Sequence, residues 1–193
     1  MTNSNTGYHE ADRYLVDSVL KGNNAAFAAI IKNTEALVTQ IVFKMISHPG
    51  SRKDLAQDIY IKAYKKLAGF KFQCKLSTWI AQIAYNTCFD YLRKKQLILP
   101  DNLHEEKEMK TTSPDETFSV LQQKELTAIL KKEIDQLPPI YQTIITLYHK
   151  EEMSYNEITE ITGLPEGTLK SYLFRARKML KNNLSQHYQK EDI

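Results

Sequence analysis

The sequence is poor in the residues that mark disulfide-rich, low-complexity or membrane-spanning proteins. Of its 193 residues, two are cysteine, six are glycine and six are proline. Those numbers are too small for a disulfide framework or a biased, fibrous chain. No run approaches roughly 18 consecutive apolar residues, so we expect no membrane insertion. The amino terminus has no basic stretch followed by an apolar one, which predicts a cytoplasmic protein without a signal peptide.

Motifs for catalysis and metal binding are also missing from the sequence. The five histidines are scattered without ligand spacing, and Cys74 and Cys88 form no CxxC motif. There is no carboxylate cluster, histidine–nucleophile pair or glycine-rich phosphate loop. We therefore predict no enzyme activity, no metal site and no cofactor. The two cysteines are interpreted as reduced thiols, with a regulatory disulfide as the alternative.

What the chain does contain is charge, and this charge is unevenly distributed. Residues 24–99 carry 12 basic and 4 acidic side chains, residues 100–120 carry 2 and 6, and residues 121–187 carry 9 and 8. This segregation indicates two lobes separated by an acidic connector. A basic lobe commonly binds a polyanion, although a solvated lysine face produces the same composition.

The hydrophobic periodicity is helical almost throughout, and no segment alternates apolar and polar residues as a strand does. The sequence predicts an all-α protein of two small helical domains joined by a flexible acidic linker. The C-terminal domain is predicted to contain a helix-turn-helix. The predicted units are an N-terminal tail and helix at 1–21, a domain at 22–97, a linker at 98–118, a domain at 119–187 and a tail at 188–193. The predicted helices are 9–21, 24–47, 52–68, 78–96, 119–136, 139–149, 154–162 and 165–184.

The helix-turn-helix prediction depends on a short segment with strong local signals. Ser154 and Glu157 have the spacing of a capping box, which starts a helix. Gly163 ends that helix, because glycine accepts the left-handed conformation of a tight turn. Leu164 fills the turn, and Pro165 is predicted to open the second helix at its first position.

The second helix of this motif separates apolar and basic residues. The face predicted to point to the core contains Leu169, Leu173, Ala176, Met179 and Leu180. The opposite face contains Lys170, Ser171, Phe174, Arg175, Arg177, Lys178 and Lys181. Lysine and arginine attract phosphates, and arginine can bind a guanine edge in the major groove. We interpret this helix as a major-groove recognition helix, with a merely solvated basic helix as the alternative.

The helix predicted at 52–68 has one apolar face and one polar face. The apolar face contains Leu55, Ala56, Ile59, Ala63 and Leu67, whereas the polar face contains Asp54, Gln57, Asp58, Ile61, Lys62 and Lys65. Ile61 is the aliphatic residue among charges and amides. This pattern fits a surface that docks a protein partner. A single exposed isoleucine without any role is the alternative.

The helix predicted at 78–96 and the loop before it suggest binding of unpaired bases. One face is predicted to bury Trp79, Ile80, Ile83, Thr87 and Tyr91, and the other to present Gln82, Tyr85, Asn86, Phe89 and Arg93. Aromatic rings interleaved with amides suit unstacked bases. The preceding basic loop, 69–77, could accommodate a flipped base. The alternative is that Tyr85 and Phe89 pack against another helix.

Three stretches of the sequence resemble a known family, the extracytoplasmic-function sigma factors, which are initiation subunits of bacterial RNA polymerase. DLAQDIYIKAYKKLAGF and LSTWIAQIAYNTCFDYLRK resemble the family's second conserved region. LPPIYQTIITLYHKEEMSYNEITEITGLPEGTLKSYLFRARKML resembles its fourth conserved region. The resemblance implies a protein that directs core RNA polymerase to promoters and helps to melt their minus-ten element.

The resemblance also implies a role for each surface. Core RNA polymerase would bind Asp54, Gln57, Asp58, Ile61 and Lys65. The minus-ten element, including a base flipped from its single-stranded non-template strand, would bind Phe70, Lys71, Gln82, Tyr85, Asn86, Phe89 and Arg93. The duplex minus-thirty-five element would bind Lys170, Ser171, Phe174, Arg175, Arg177 and Lys178. An anti-sigma factor is a further candidate partner.

The sequence departs from the family pattern at two positions of the helix-turn-helix. Tyr172 stands where the family very often has arginine, and Thr159 replaces the usual small alanine. An alternative function is a stand-alone helix-turn-helix regulator with a helical sensing domain. Such regulators are usually dimers on palindromic sites, which leaves the strongly basic N-terminal lobe without a use.

Overall fold

The computed structural model describes residues 5–95 and 120–187, which form eight α-helices and one 3-10 turn. The helices fall into two lobes, so the predicted all-α, two-domain fold class is confirmed. The predicted linker 98–118 and tail 188–193 lie outside the described residues. The helices are α1 Asn5–Leu20, α2 Asn24–Met45, α3 Pro49–Lys66, α4 Leu76–Lys94, α5 Val120–Asp135, α6 Pro139–His149, α7 Tyr155–Thr162 and α8 Glu166–His187, with the 3-10 turn at Leu67–Gly69.

The first lobe is built around α2, which packs against α1, α3 and α4. Ile30, Val38, Ile41 and Met45 lie along one face of α2 and are almost completely buried. By length and average hydropathy α2 could also cross a membrane. Polar residues interrupt its apolar sequence, so the search for uninterrupted apolar runs did not identify α2 as a possible membrane span. The buried face of α2 accounts for this composition as that of a core helix.

The ends of α2 and α3 follow from capping residues. The Oδ1 atom of Asn23 accepts hydrogen bonds from two N–H groups in the first turn of α2, at 3.0 and 3.3 Å. In α3 the Nδ1 atom of His48 accepts a 3.3 Å hydrogen bond from the N–H of Ser51. Pro49 occupies the first turn, where its missing N–H costs nothing. The helix therefore begins three residues before the position that apolar periodicity alone predicts.

The helix-turn-helix forms as its local signals predict. The Oγ atom of Ser154 accepts from the N–H of Glu157 at 3.3 Å, and the Glu157 carboxylate accepts from the N–H of Ser154 at 3.0 Å. Gly163 ends α7 in the left-handed region, with a φ of 71°. The second helix begins at Glu166, one residue later than predicted. The carbonyl of Pro165 accepts a 2.9 Å hydrogen bond from the N–H of Leu169 in the first turn of this helix.

The buried stripe of α8 is narrower than predicted. Leu169, Leu173, Ala176 and Leu180 are buried, but Met179 is 36% exposed. The prediction that Met179 faces the core is therefore wrong. At 100° per residue Met179 lies about 80° from Leu169, at the edge of the stripe, where the neighbouring helices no longer cover it.

The two lobes pack against each other in this structure. Helix α7 contacts α4 and helix α6 contacts α2, so that one hydrophobic cluster continues from the first lobe into the second. Polar contacts across the boundary are Lys44 Nζ–Asp135 Oδ1 at 2.6 Å, Lys75 Nζ–Glu157 Oε1 at 2.9 Å and Gln40 Nε2–Glu151 Oε1 at 3.1 Å. The ion pairs are partly exposed and contribute little, about 0–1 kcal/mol each. Apolar burial is therefore the main attraction between the lobes.

Candidate nucleic-acid and polymerase-binding surfaces

The basic face of α8 is on the surface of the second lobe. The exposed members of this face are Lys170, Ser171, Arg177, Lys178 and Lys181, and the half-buried members are Phe174 and Arg175. Lys170 forms a 2.7 Å ion pair with Glu166, one turn earlier. After Glu166 the described part of α8 carries basic side chains and no acid. This face can therefore approach phosphates without like-charge repulsion.

Arg177 is held against α6 by two contacts. Its guanidinium lies over the ring of Tyr148, 5.5 Å from the centroid, and 3.3–3.4 Å from the Nε2 atom of His149. Burial, and secondly the charge of Arg177, lower the pKa of His149. The imidazole is therefore neutral near pH 7, and its Nε2 can accept the hydrogen bond from the guanidinium. These contacts restrict the orientation of a side chain predicted to bind DNA.

Tyr172 and Thr159, the two departures from the family pattern within the helix-turn-helix, both have partners within the protein. The ring of Tyr172 is half-buried and packs edge-on against Tyr141, with centroids 5.3 Å apart. The Oγ1 atom of Thr159 donates a 2.8 Å hydrogen bond to the carbonyl of Asn156. Tyr172 is thus a packing residue. The family very often has a charged arginine at this position.

In the first lobe, the loop before α4 and the first turns of α4 enclose a cavity of about 360 Å³. Phe70 forms one wall, with its ring 5.1 Å from that of Trp79. The lining residues are Gly69, Phe70, Lys71, Gln73, Cys74, Thr78, Trp79, Gln82 and Glu160. A lining that combines aromatic rings with a lysine, two amides and one carboxylate suits a planar, hydrogen-bonding ligand such as a base.

Three of the seven predicted minus-ten residues meet in this cavity, namely Phe70, Lys71 and Gln82. Phe70 is only 7% exposed, so it contributes a packed wall rather than a free surface. Asn86 is exposed and lies one turn beyond Gln82 on the same side of α4. It therefore extends the same face beyond the cavity.

Phe89 and Arg93 lie farther along α4. Phe89 is half-buried, and its ring is stacked on Tyr85 with centroids 6.1 Å apart. Arg93 is exposed and forms a 3.1 Å ion pair with Asp90. The structure does not bring these two residues into the cavity, so any contact that they make with DNA is a separate one.

The expectation that Tyr85 lies on the exposed face of α4 is wrong. Its side chain is 3% exposed. Burial, and secondly the nearby hydroxyl of Tyr172 in the second lobe, raise the pKa of Tyr85 above its usual range. The reason is that α4 packs against helices of both lobes, α2 and α3 in the first and α7 in the second. The alternative of helix packing is therefore the correct one for this residue.

Both cysteines are free thiols. Burial raises the pKa of the Cys88 thiol to about 12. Cys74 lines the cavity, and its pKa is raised first by burial and then by the carboxylates of Glu160 and Asp12. Both thiols are therefore protonated near pH 7, which makes them weak nucleophiles.

The predicted polymerase surface on α3 is exposed as a whole. Its residues Asp54, Gln57, Asp58, Ile61 and Lys65 all face outward, and Ile61 is 51% exposed. Beside them lies an apolar groove of about 610 Å³ between α2 and α3. Its lining residues are Phe27, Ile31, Lys53, Ala56, Gln57, Tyr60, Ile61, Tyr64 and Lys65.

Sequence reasoning missed several residues that line these surfaces. Tyr64 is 49% exposed and packs edge-on against Phe27, with centroids 5.0 Å apart. Tyr64 follows Ile61 by three residues, a spacing that places both on one side of α3 and could have identified it. Phe27 is on another helix, and Glu160 reaches the cavity from α7. No local pattern identifies contacts between distant helices.

Comparison with known families gives two matches in the order in which the lobes occur. The family described as Sigma-70 region 2 matches residues 30–98, and the family described as Sigma-70, region 4 matches residues 127–180. The first match contains the α3 surface and every cavity residue except Glu160, and the second contains the helix-turn-helix. A stand-alone regulator with a sensing domain is therefore not favoured.

Individual relatives and solved structures cover nearly the whole chain. ECF RNA polymerase sigma factor SigW of Bacillus subtilis is 32% identical over 182 residues, covering 88% of this chain and 94% of the relative. The ECF RNA polymerase sigma-E factor of Escherichia coli K12 is 30% identical, covering 90% and 94%. The structure of CnrH in complex with the cytosolic domain of CnrY has a TM-score of 0.63 and 20% identity, covering 92% and 99%. The sigma factor RpoE bound to the anti-sigma factor NepR, from Bartonella quintana, has a TM-score of 0.59 and 22% identity, covering 84% and 98%.

The similarity to SigW extends over both lobes, and both conserved sigma regions occur in order. The chain therefore belongs to the extracytoplasmic-function family of RNA polymerase sigma factors.

Proposed function

We propose that three separate surfaces of this sigma factor divide the work of promoter recognition. The cavity before α4 accepts one unstacked base of the minus-ten element, the basic face of α8 reads the minus-thirty-five element, and the α3 surface docks on core RNA polymerase. The observation that carries the proposal is the cavity, whose lining combines two aromatic rings with a lysine, amide side chains and one carboxylate. The protein contributes binding energy and no catalysis of its own, and we expect it in the cytoplasm, where its polymerase is.

The cavity supports base capture through two kinds of contact. The ring of Trp79, with the packed ring of Phe70 behind it, provides flat apolar surface for an unstacked base, and Gln82 supplies an amide donor and acceptor. Lys71 adds positive charge for the adjoining phosphate. Flipping a base costs a few kcal/mol, which these contacts offset.

The α8 face supports reading of duplex DNA. Its lysines provide contacts to phosphates that do not depend on sequence, and Arg175 provides a planar donor for a base edge. Arg177, held by Tyr148 and His149, is placed to approach DNA with little further loss of side-chain freedom. We assign Phe174 to apolar contact with the groove floor, where a thymine methyl is the partner that suits a ring.

The α3 surface supports protein docking, because an apolar groove is flanked by acids and a lysine. Gln57 and Lys65 are at the rim of the groove, and Asp54 and Asp58 are one turn apart on the same helix. Apolar contact in the groove supplies affinity, and the charges fix the register. An anti-sigma factor is a second candidate partner. NepR binds the Bartonella quintana protein that shares this fold.

The test of the cavity is promoter opening by the complete holoenzyme. We expect Gln82→Ala and Asn86→Ala to retain binding to core polymerase but to change the preferred minus-ten base. Opening is followed by the fluorescence of 2-aminopurine placed in that element. Asn33→Ala, which removes an exposed amide of α2 outside the cavity, is the control. If Gln82→Ala leaves both the preferred minus-ten base and promoter opening unchanged, this cavity does not bind the unstacked base.

A further inference from the structure

The loop that walls the cavity is held in an unusual backbone conformation. Phe72 has a φ of 55°, in the left-handed region that bulky side chains rarely adopt. Its ring is 4.7 Å from the ring of Phe70, which lines the cavity. A strained residue at this place persists only when its surroundings determine its conformation. Some other part of the molecule must therefore stabilise the loop.

Two side chains of α1 make the contacts that hold this loop. The guanidinium of Arg13 lies over the ring of Phe72, 4.7 Å from its centroid. One residue earlier, the Oδ2 atom of Asp12 accepts a 2.8 Å hydrogen bond from the N–H of Leu76, where the loop ends and α4 begins. The two adjacent residues thus fasten the middle and the end of the same loop.

The contact from Asp12 replaces a cap that the local sequence lacks. Lys75 is the capping residue of α4 and makes no side-chain capping hydrogen bond. A carboxylate near the start of a helix satisfies an N–H group and interacts favourably with the helix dipole. Helix α1 itself is anchored in the core by Val16 and Val19, which are 2% and 6% exposed. It is therefore a firm support for the loop.

We propose that α1 positions the loop 70–75 and thereby helps to determine which minus-ten base the cavity accepts, with Asp12 and Arg13 as its positioning residues. The inference rests on the proposed role of the cavity. It assigns a part in base specificity to a helix that precedes residues 30–98, the segment matched as region 2. Neither residue lines the cavity, so both act through Phe72, Leu76 and the loop between them.

The first test uses the full chain without polymerase or DNA. Trp79 is the single tryptophan, and its ring is 5.1 Å from that of Phe70. Its emission and its quenching by acrylamide therefore report on the loop independently of promoter function. We expect Asp12→Ala and Arg13→Ala to change both signals. Asp12→Asn, which keeps an oxygen acceptor, and Arg13→Lys, which keeps a cation, should retain most of the original signal.

The second test measures transcription in competition between promoters that differ at one minus-ten base. Loss of a cation–π contact at an exposed site changes the equilibrium between the two conformations that it separates by about two- to fivefold. We expect Arg13→Ala to change relative promoter use by that factor, with binding to core polymerase unchanged. The controls are Asp17→Ala and Lys21→Ala. Each removes an exposed charge near the C-terminal end of α1 and away from Asp12 and Arg13 in the sequence. Circular dichroism establishes that each variant is folded.

Gln82→Ala separates failure of this inference from failure of the proposed function. If Gln82→Ala changes base preference while the Asp12 and Arg13 variants leave both preference and Trp79 fluorescence unchanged, the role of α1 is overturned and the cavity keeps its function. If Trp79 fluorescence changes in the α1 variants but no variant, including Gln82→Ala, changes base preference, α1 positions the loop but the cavity does not read a base. The specificity role is overturned in that case as well.

Discussion

Glu157 accepts a hydrogen bond from Lys75 across the boundary between the lobes while it caps its own helix. Its Oε1 atom lies 2.9 Å from the Lys75 ammonium, and its Oε2 atom accepts from the N–H and the hydroxyl of Ser154 at 3.0 and 2.9 Å. Lys75 ends the loop beside the cavity, and Glu157 starts the helix-turn-helix. One carboxylate therefore couples the start of the DNA-reading motif to the proposed base-binding loop.

This arrangement predicts a pH-dependent effect of Glu157→Gln. The ammonium of Lys75, and then the hydrogen bonds from Ser154, lower the pKa of Glu157. The folded state therefore holds this proton less tightly than the unfolded state. The contribution is present above the ordinary glutamate pKa of about 4.3 and is lost as the pH falls through the lowered value.

We expect urea unfolding to show Glu157→Gln as less stable than the original protein at pH 7, by an amount within the range of exposed ion pairs, about 0–1 kcal/mol. The difference should shrink below about pH 4. Glutamine still accepts from Ser154, so the cap is retained. Glu160→Gln, on the same helix, is the matched control. A difference that does not vary with pH would show that the ion pair is not its cause.

Residues whose environment is set by one helix face were predictable from the sequence, and residues at contacts between helices were not. The bounds of α6 were predicted to the residue, because Pro139 and His149 mark its ends. The exposure of Ile61 was predicted because α3 is covered on one side. Tyr85 was assigned to the wrong face because α4 is covered by helices of both lobes. One of the helices that cover α4 is α7, which lies more than 60 residues later in the sequence. The periodicity within α4 cannot predict that contact.

A second prediction separates base reading from phosphate binding on α8. Arg175→Ala should cost about 1–3 kcal/mol on the preferred minus-thirty-five element and less on altered elements, if it makes a bidentate base contact. Lys178→Ala should weaken binding to all sequences evenly and reduce the salt dependence, because a phosphate contact carries no sequence information. Holoenzyme binding to a panel of promoters, at two salt concentrations, measures both effects. Equal losses on every promoter for both variants would show that Arg175 does not read bases.

A third prediction concerns two neighbouring residues of α4 with opposite environments. Tyr85→Ala removes a buried ring and should lower the free energy of unfolding by about 3–5 kcal/mol, the usual range for large aromatic deletions. Asn86→Ala changes an exposed side chain and should leave stability within about 0.5 kcal/mol. Urea unfolding of the full chain compares them directly. A mild effect of Tyr85→Ala would mean that the ring is exposed in solution and that the second lobe does not cover α4 there.

The fourth prediction concerns the docking surface on α3. Ile61 is half-exposed at the edge of an apolar groove, whereas Leu55 and Ile59 on the opposite face already fill the core. Full burial of an isoleucine by a partner is favourable by about 1.5–3 kcal/mol. Ile61→Glu should therefore weaken binding to core polymerase at least about tenfold, since each 1.4 kcal/mol is a factor of ten.

Because Ile61 faces outward, Ile61→Glu should leave the helical circular dichroism and the melting temperature close to those of the original protein. Leu20→Glu is the matched control, because Leu20 is 54% exposed, lies on α1 and does not line the groove. It should keep both the fold and the affinity for polymerase. If Ile61→Glu unfolds the protein, Ile61 belongs to the core. If the variant is folded and binds polymerase with the original affinity, the docking surface lies elsewhere on the molecule.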